Sequence, residues 1–247
     1  MNERQERIYR IIEKLNNATI EHLAKEVYAS PATIRRDLAK MEASGLILRV
    51  WGGATLSSKT SVDPPDFVRS NINVEAKKKI ARKALSLIDE NSSIFLPSGT
   101  TVKEFCKVLS SLSNVAVITN SLDVIETLKD NTSHKIFSLG GELHEHYDFV
   151  GPITHGQIER FSADFLVFSC SGITKNGFTS NDLDRLEIIT RMQKNSAKTI
   201  LLCDSSKVNK KCMYNGFDLA KIDFIVMDKM PTDMELVQKL KNKLIIA

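Results

Sequence analysis

Residues Ser30–Leu38 read SPATIRRDL, and the fold of the N-terminal part follows from them. Ser30 is a preferred N-cap and Pro31 suits a first helical turn. A helix is therefore predicted from here to about Ala43, with Gly45 after Ser44 as its stop. Ile34 and Leu38, four residues apart, share a core-facing side and leave Thr33, Arg35 and Arg36 to the other. Upstream, Arg4 to Asn16 carries Ile8, Ile11, Ile12 and Leu15, an apolar stripe at helical spacing. Thr19 predicts the cap of an intervening helix, with His22 at the capping-box position and Ile20, Leu23, Ala24 and Val27 as its apolar residues. Downstream, LILRVWGGATL from Leu46 gives two β-prone runs around Gly52-Gly53, which predicts a hairpin. Helix, short turn and helix make the helix-turn-helix outline, whose second helix enters the DNA major groove. On that reading Ser30, Thr33, Arg35 and Arg36 face DNA and Arg49 in the hairpin reaches the adjacent backbone. Arginine holds guanine bidentately or grips phosphate, and the helix N-terminus attracts phosphate. The plain alternative is a solvated basic turn on a three-helix bundle.

The charge distribution points the same way, mildly. The chain has 247 residues and a net charge of +4, and residues 1–59 hold 10 Lys/Arg against 7 Asp/Glu, so the other 188 are close to neutral. With 42% apolar and 26% charged residues the composition excludes a disordered or collagen-like chain. No apolar run approaches the ~20 residues of a membrane span. The start, MNERQERIYR, lacks the apolar core of a signal peptide. Cys106, Cys170, Cys203 and Cys212 form no C-x-x-C pair, so reduced thiols, a cytoplasmic location, no zinc and no membrane partner are expected.

From Ser57 to Asn73 the sequence is polar and aperiodic around Pro64-Pro65. We read residues 1–58 as one domain, 59–74 as a linker and 75–247 as a second domain. In the second domain, strand-like runs at Ser93–Leu96, Val115–Ile118, Lys135–Leu139, Asp164–Phe168, Thr199–Cys203 and Phe224–Met227 alternate with helical stretches. These stretches lie near 75–89, 100–112, 121–130, 152–161, 182–195 and 232–242. The alternation predicts an α/β fold with a mostly parallel sheet covered on both faces. Three turns follow strands: Ser98-Gly99-Thr100-Thr101, Thr119-Asn120-Ser121 and Gly140-Gly141. Small polar residues between a strand end and a helix start make an anion site, and the glycines let a ligand approach the backbone. Each alone is an ordinary turn; together they predict a crevice at the strand ends. Asp204-Ser205-Ser206-Lys207 adds a lysine for phosphate and an aspartate for a sugar hydroxyl, or is simply a capped, solvated turn.

RQERI at Arg4–Ile8, Leu23-Ala24, SPATIRRDL at Ser30–Leu38 and GLILRVWGGA at Gly45–Ala54 resemble the winged helix-turn-helix of DeoR-type regulators. Trp51 departs from the His usual before the Gly-Gly. The order FVR at 67–69, SGTT, VITNS, LGGEL, FVG at Phe149–Gly151, SGI at Ser171–Ile173 and DSSK resembles the sensor domain of the same family, so the resemblance runs through nearly the whole chain. It implies a fold related to ribose-5-phosphate isomerase, glucosamine-6-phosphate deaminase and CoA transferases, and a transcriptional regulator, mostly repressors of sugar or sugar-derivative genes relieved by a phosphorylated metabolite. It implies double-stranded operator DNA as partner, a homo-oligomer (dimer or tetramer) and no cofactor. By carry-over Ser98, Gly99, Thr100 and Thr101 wrap the phosphate with Lys207, while Thr119, Asn120, Ser121, Gly140, Gly141 and Asp204 line the rest of the pocket. Pro97 stands where the family commonly has Asp, and Ile189 where a Lys commonly follows the acid at Glu187.

An enzyme is the alternative. Glu142, Asp148 and Glu187 are candidate general bases for a phosphosugar isomerase or deaminase carrying a DNA-binding head. His144 and His146, with His155 nearby, lack the further ligands a zinc site needs. The DNA-binding head weighs against catalysis, because the fold alone decides nothing.

Overall fold

The computed structural model describes residues 2–43, 46–56, 63, 66–130, 133–144 and 147–247. It divides into two compact units, Met1–Ile72 and Asn73–Ala247. The expected stop at Gly45, the Pro64-Pro65 joint, and Glu145 and His146 lie outside the described residues.

In the first unit α1 (Glu3–Leu15) starts at a capping box made by Asn2 and Gln5. Strand β1 (Asn17–Thr19) leads into α2 (Ile20–Glu26), capped by Thr19 Oγ1, which accepts from His22 N at 3.2 Å. Helix α3 (Pro31–Ala43) follows a four-residue turn, and β2 (Ile47–Val50) and β3 (Gly53–Leu56) form the hairpin. The sheet gains a third strand that the sequence did not suggest, because β1 pairs antiparallel with β3. One core joins the three helices to the hairpin through Ile8, Ile12, Leu23, Ile34, Leu38 and Ile47. A further helix, α4 (Asp66–Asn71), falls within the stretch read as polar linker.

The polar lock of this unit lies on the inner face of α3. Arg4 Nε donates to Asp37 Oδ2 at 2.6 Å, and Gln5 Nε2 donates to Asp37 Oδ1 at 2.9 Å. Burial alone would raise the pKa of Asp37, but the hydrogen bonds from Arg4 and Gln5 outweigh it and hold the carboxyl below its usual range. Asp37→Ala is expected to cost about 2 kcal/mol, because it leaves the buried Gln5 amide without its acceptor. A depressed folded pKa stabilises above the unfolded value, so the parent should lose this contribution as pH falls below about 4. Thermal unfolding of parent and variant across pH 3–7 checks both, the gap between them narrowing toward the acid end.

The second unit opens with α5 (Val74–Leu85) and β4 (Ser93–Phe95), then α6 (Thr100–Leu109), β5 (Ala116–Thr119), α7 (Leu122–Leu128) and β6 (Lys135–Ser138). A small hairpin, β7 (Glu142–Leu143) and β8 (Phe149–Val150), precedes α8 (Gly151–Ile158) and β9 (Ala163–Ser169). Next come β10 (Gly172–Thr174), β11 (Gly177–Ser180), α9 (Leu183–Lys194) and β12 (Ser196–Cys203). The unit ends with β13 (Tyr214–Asn215), β14 (Phe224–Met227), α10 (Met234–Leu240) and β15 (Leu244–Ile246). The seven-stranded sheet runs β15-β14-β12-β9-β4-β5-β6, with every described pairing parallel.

Alternation along the strands separates two cores. Ile94, Val117, Val167, Ile200 and Leu202 face α5, α6 and α7, while Phe95, Ile118, Phe168, Leu201 and Cys203 face α8, α9 and α10. A sheet buried on both faces needs such continuous apolar strands, which is why the inner strands were legible; the edge strand β6 is mostly exposed. The chain builds β4, β5 and β6 in one direction and then places β9 on the other side of β4. The strand order therefore reverses between β4 and β9, the place where open α/β sheets leave a crevice at their carboxyl ends.

Candidate functional site

Two surfaces collect the residues singled out from the sequence. On α3, Ile34, Asp37, Leu38 and Met41 are buried, and Arg35 and Arg36 are both exposed on the opposite side. Ser30 Oγ accepts from Thr33 N at 3.2 Å and lies 2.9 Å from Thr33 Oγ1, so this pair caps the helix as well as standing at its exposed end. Arg49 is exposed on β2, but Glu42 holds it: Arg49 Nε donates to Glu42 Oε2 at 2.6 Å, and Arg49 N to Glu42 Oε1 at 3.0 Å. Arg49 thus enters any DNA contact with part of its charge already countered. The hairpin reverses at Trp51-Gly52, ahead of the predicted Gly-Gly, with Gly52 at φ 80°. Trp51 is left fully exposed at the tip beside half-exposed Val50. Tyr28, in the turn before α3, is 90% exposed at φ 53°, a conformation costly for a bulky side chain. Nothing in the sequence distinguished it from a core aromatic.

In the second unit the carboxyl ends of β4, β5 and β6 lie side by side, which brings three of the predicted turns together. Gly99 is the N-cap of α6 and supplies no side-chain cap, so the first-turn N–H groups of Thr100, Thr101 and Val102 lack partners from within the helix. A Cβ on Gly99 would stand 2.4 Å from Ser169 Oγ, at the carboxyl end of the neighbouring strand β9. Glycine suits this approach, because any side chain here forces Ser169 to turn and strains a backbone at φ 157°. The N-terminus of a ten-residue helix thus stands at the point where the strand order reverses, the place where open α/β sheets leave a crevice.

The other predicted site residues divide by what already occupies them. Thr119 Oγ1 donates to Leu96 O at 2.6 Å and accepts from Ser121 N at 3.0 Å, bracing the β4 and β5 ends against each other. Asp204 Oδ1 caps its own turn and accepts from Asn73 Nδ2 at 3.1 Å; Lys207 follows it, half-buried. Sequence reading gave Gly140-Gly141 an open backbone for a ligand. In the structure α8 packs against that turn, most closely at Gly141. Gly140 N donates to Gln157 Oε1 at 2.8 Å, Thr154 Oγ1 donates to Gly140 O at 2.8 Å, and a Cβ on Gly141 would meet Thr154 Oγ1 at 2.1 Å. Ile189, at the position where the family commonly has Lys, is buried in the core.

The group that sequence reading missed is an ion pair. Asp148, from the end of the β7–β8 hairpin, is 1% exposed and accepts through Oδ2 from Ser98 Oγ and from Arg185 Nη2, the latter at 3.3 Å. Arg185 comes from the first turn of α9, whose N-cap Asp182 accepts from Arg185 N at 3.0 Å. The candidate bases do not converge, since Glu142 is exposed and Glu187 faces outward, its Oε2 3.7 Å from His155 Nε2. His144 Nδ1 lies 3.9 Å from Asp182 Oδ2. No helix among the described residues is long and apolar enough to cross a membrane.

Comparison with known proteins accounts for both units. Residues 4–60 match the DeoR-like helix-turn-helix domain and residues 72–229 the DeoR C terminal sensor domain. The chain is 37% identical to an L-fucose operon activator of Haemophilus influenzae, covering 94% of each chain. It is 32% identical to a glycerol-3-phosphate regulon repressor of Escherichia coli strain K12, covering 93% of this chain and 91% of that one. A ribose 5-phosphate isomerase A from Methanocaldococcus jannaschii is similar over 56% of each chain, with a TM-score of 0.42 and 16% identity. The full-length relatives are named as regulators of transcription and not as enzymes. The chain belongs to the DeoR family of DNA-binding transcriptional regulators.

Proposed function

We propose that this regulator binds a near-palindromic operator as a homo-oligomer and that a phosphorylated sugar or related metabolite controls its hold on DNA, as a repressor of sugar or sugar-derivative genes. Ser30, Thr33, Arg35 and Arg36 form the reading face, with Arg49 and Trp51 in the wing. The phosphate lies on the first turn of α6 at Gly99, Thr100 and Thr101, with Lys207 adding charge. Asn120 and Ser121 take the rest of the ligand. One small module covers a single half-site, so specific affinity calls for a symmetric assembly. The observation that carries the effector reading is the uncapped α6 N-terminus, facing a crevice whose polar residues are buried.

A thermal-shift screen of phosphorylated metabolites tests the sensor half. A ligand at a hundred times its Kd adds about 2.7 kcal/mol to the native state, which raises the melting temperature by roughly 5–10 °C in a unit of this size. Response to unphosphorylated sugars only would refute it. The reader half has a built-in probe, because Trp51 is the only tryptophan in the chain and stands exposed at the wing tip. Operator DNA is expected to quench or shift its emission, and saturated binding with an unchanged spectrum would take the wing off the DNA. The relative named as an activator bears on the sign of regulation, which a reporter gene under the selected operator reads directly.

A further inference from the structure

Four buried polar atoms around the crevice have no hydrogen-bond partner among the described residues: Asn120 Oδ1, Ser121 Oγ, Asp148 Oδ1 and Arg185 Nε. Their residues are neighbours, joined through backbone at Asn120 and Ser121 and through side chains at Asp148 and Arg185. Asn120 Nδ2 donates to Phe149 O at 2.9 Å, the backbones of Ser121 and Asp148 form an antiparallel bridge, and Asp148 Oδ2 is taken up by Ser98 and Arg185. Each residue is at least nine-tenths buried. Buried polar groups are almost always satisfied, by protein, ligand or ordered water, so such a cluster marks a place where a bound molecule supplies the missing partners.

The atoms left over specify its chemistry. Asp148 Oδ1 and Asn120 Oδ1 can only accept, so the missing partner brings O–H or N–H donors. Ser121 Oγ both donates and accepts, and Arg185 Nε only donates, which suits a hydroxyl that gives one hydrogen bond and takes another. The Ser98 hydroxyl, having donated to Asp148, has no second proton for a phosphate; it ties the hydroxyl-reading group to the anion turn instead. We propose that Asp148, Asn120 and Ser121, with the Nε of Arg185, form a specificity subsite that reads hydroxyl groups of a polyhydroxylated phosphate ester, and that Arg185 Nη2 also holds the Asp148 carboxylate in place. This rests on the phosphate reading above. It extends the recognition set to two residues, Asp148 and Arg185, from the small hairpin and from α9. The carboxylate of a sugar acid fits poorly, because it would face the acceptor atoms of Asp148 and Asn120.

The test is calorimetry of the full chain with inorganic phosphate and three matched pairs: glycerol 3-phosphate and propyl phosphate, ribose 5-phosphate and pentyl phosphate, glucose 6-phosphate and hexyl phosphate. A site built to hydrogen-bond hydroxyls rejects the analogue lacking them, so the parent is expected to prefer the hydroxylated member of at least one pair by tenfold or more. Asp148→Asn presents an amide where an acceptor stood. It is expected to lose that preference while binding inorganic phosphate within about twofold of the parent. Ser121→Ala guards against a folding defect, since its hydroxyl has no partner in the protein to lose, and is expected to reduce the preference at unchanged melting temperature. Equal binding within every pair overturns the inference alone, and means that water fills the cluster. Tighter binding by Asp148→Asn also overturns it, since the carboxylate would then compete with phosphate. Failure of every phosphate compound to bind the parent removes the phosphate reading and this one with it.

Discussion

Gly99→Asp is expected to lower the affinity for a phosphorylated effector by about a hundredfold, equivalent to ~3 kcal/mol. Two effects add. The new Cβ would stand 2.4 Å from Ser169 Oγ, so the turn or its neighbour must shift and the first-turn N–H groups of α6 lose their aim. The new carboxylate also occupies the positive end of the helix, where it takes the place of the phosphate. The core of the first unit is separate, so the variant is expected to keep operator affinity while losing its response to effector. Lys207→Ala is the milder companion, removing charge without steric change, with a loss nearer tenfold. Calorimetry for the effector and fluorescence anisotropy for the operator check both, and a Gly99→Asp chain that responds like the parent contradicts the placement of the phosphate.

The second large effect concerns α3. Arg35→Ala and Arg36→Ala are each expected to cost about 1–3 kcal/mol of operator binding where the arginine is bidentate to a guanine, and to relax selectivity at that base pair. Where the contact is to phosphate, binding to all sequences weakens and the salt dependence becomes shallower. Both side chains are exposed and lie opposite the buried stripe of Ile34, Asp37 and Leu38, so folding should be untouched. Asp37→Ala reverses the pattern, with lost stability and no change in base preference. Unchanged affinity in both arginine variants would show that another element reads the DNA.

Sequence reading worked where the physical signal is local. The stripe of α1, the caps at Thr19 and Ser30 and the apolar runs of the parallel strands depend on neighbours a few residues away. It failed where structure depends on distant partners. Strand β1 is three polar or small residues that become a strand only because β3 lies alongside. The antiparallel β10-β11-β13 sheet and the β7–β8 hairpin are too short to show a period. In the site, the SGTT turn was legible because a strand end, small residues and a helix start follow one another. The Asp148–Arg185 pair was not, because its members lie 37 residues apart. Arg185 in the first turn of a helix reads as a surface charge, and Asp148 in a polar loop as a candidate base. At Gly141 the glycine signals a close approach without saying what approaches, and in the structure Thr154 is one group that does.

The central claim is that occupancy of the crevice changes the hold on DNA. It is tested most directly by titrating the full chain onto an operator selected from random-sequence DNA, with and without a saturating phosphorylated metabolite found by thermal shift. Coupling of this kind is typically about 1–3 kcal/mol, so the account predicts a 5–150-fold change in operator Kd. The same change is expected in effector affinity when operator is present. The dephosphorylated counterpart should leave the operator Kd unchanged. An operator Kd that stays the same while the phosphorylated metabolite saturates the sensor domain would contradict the account.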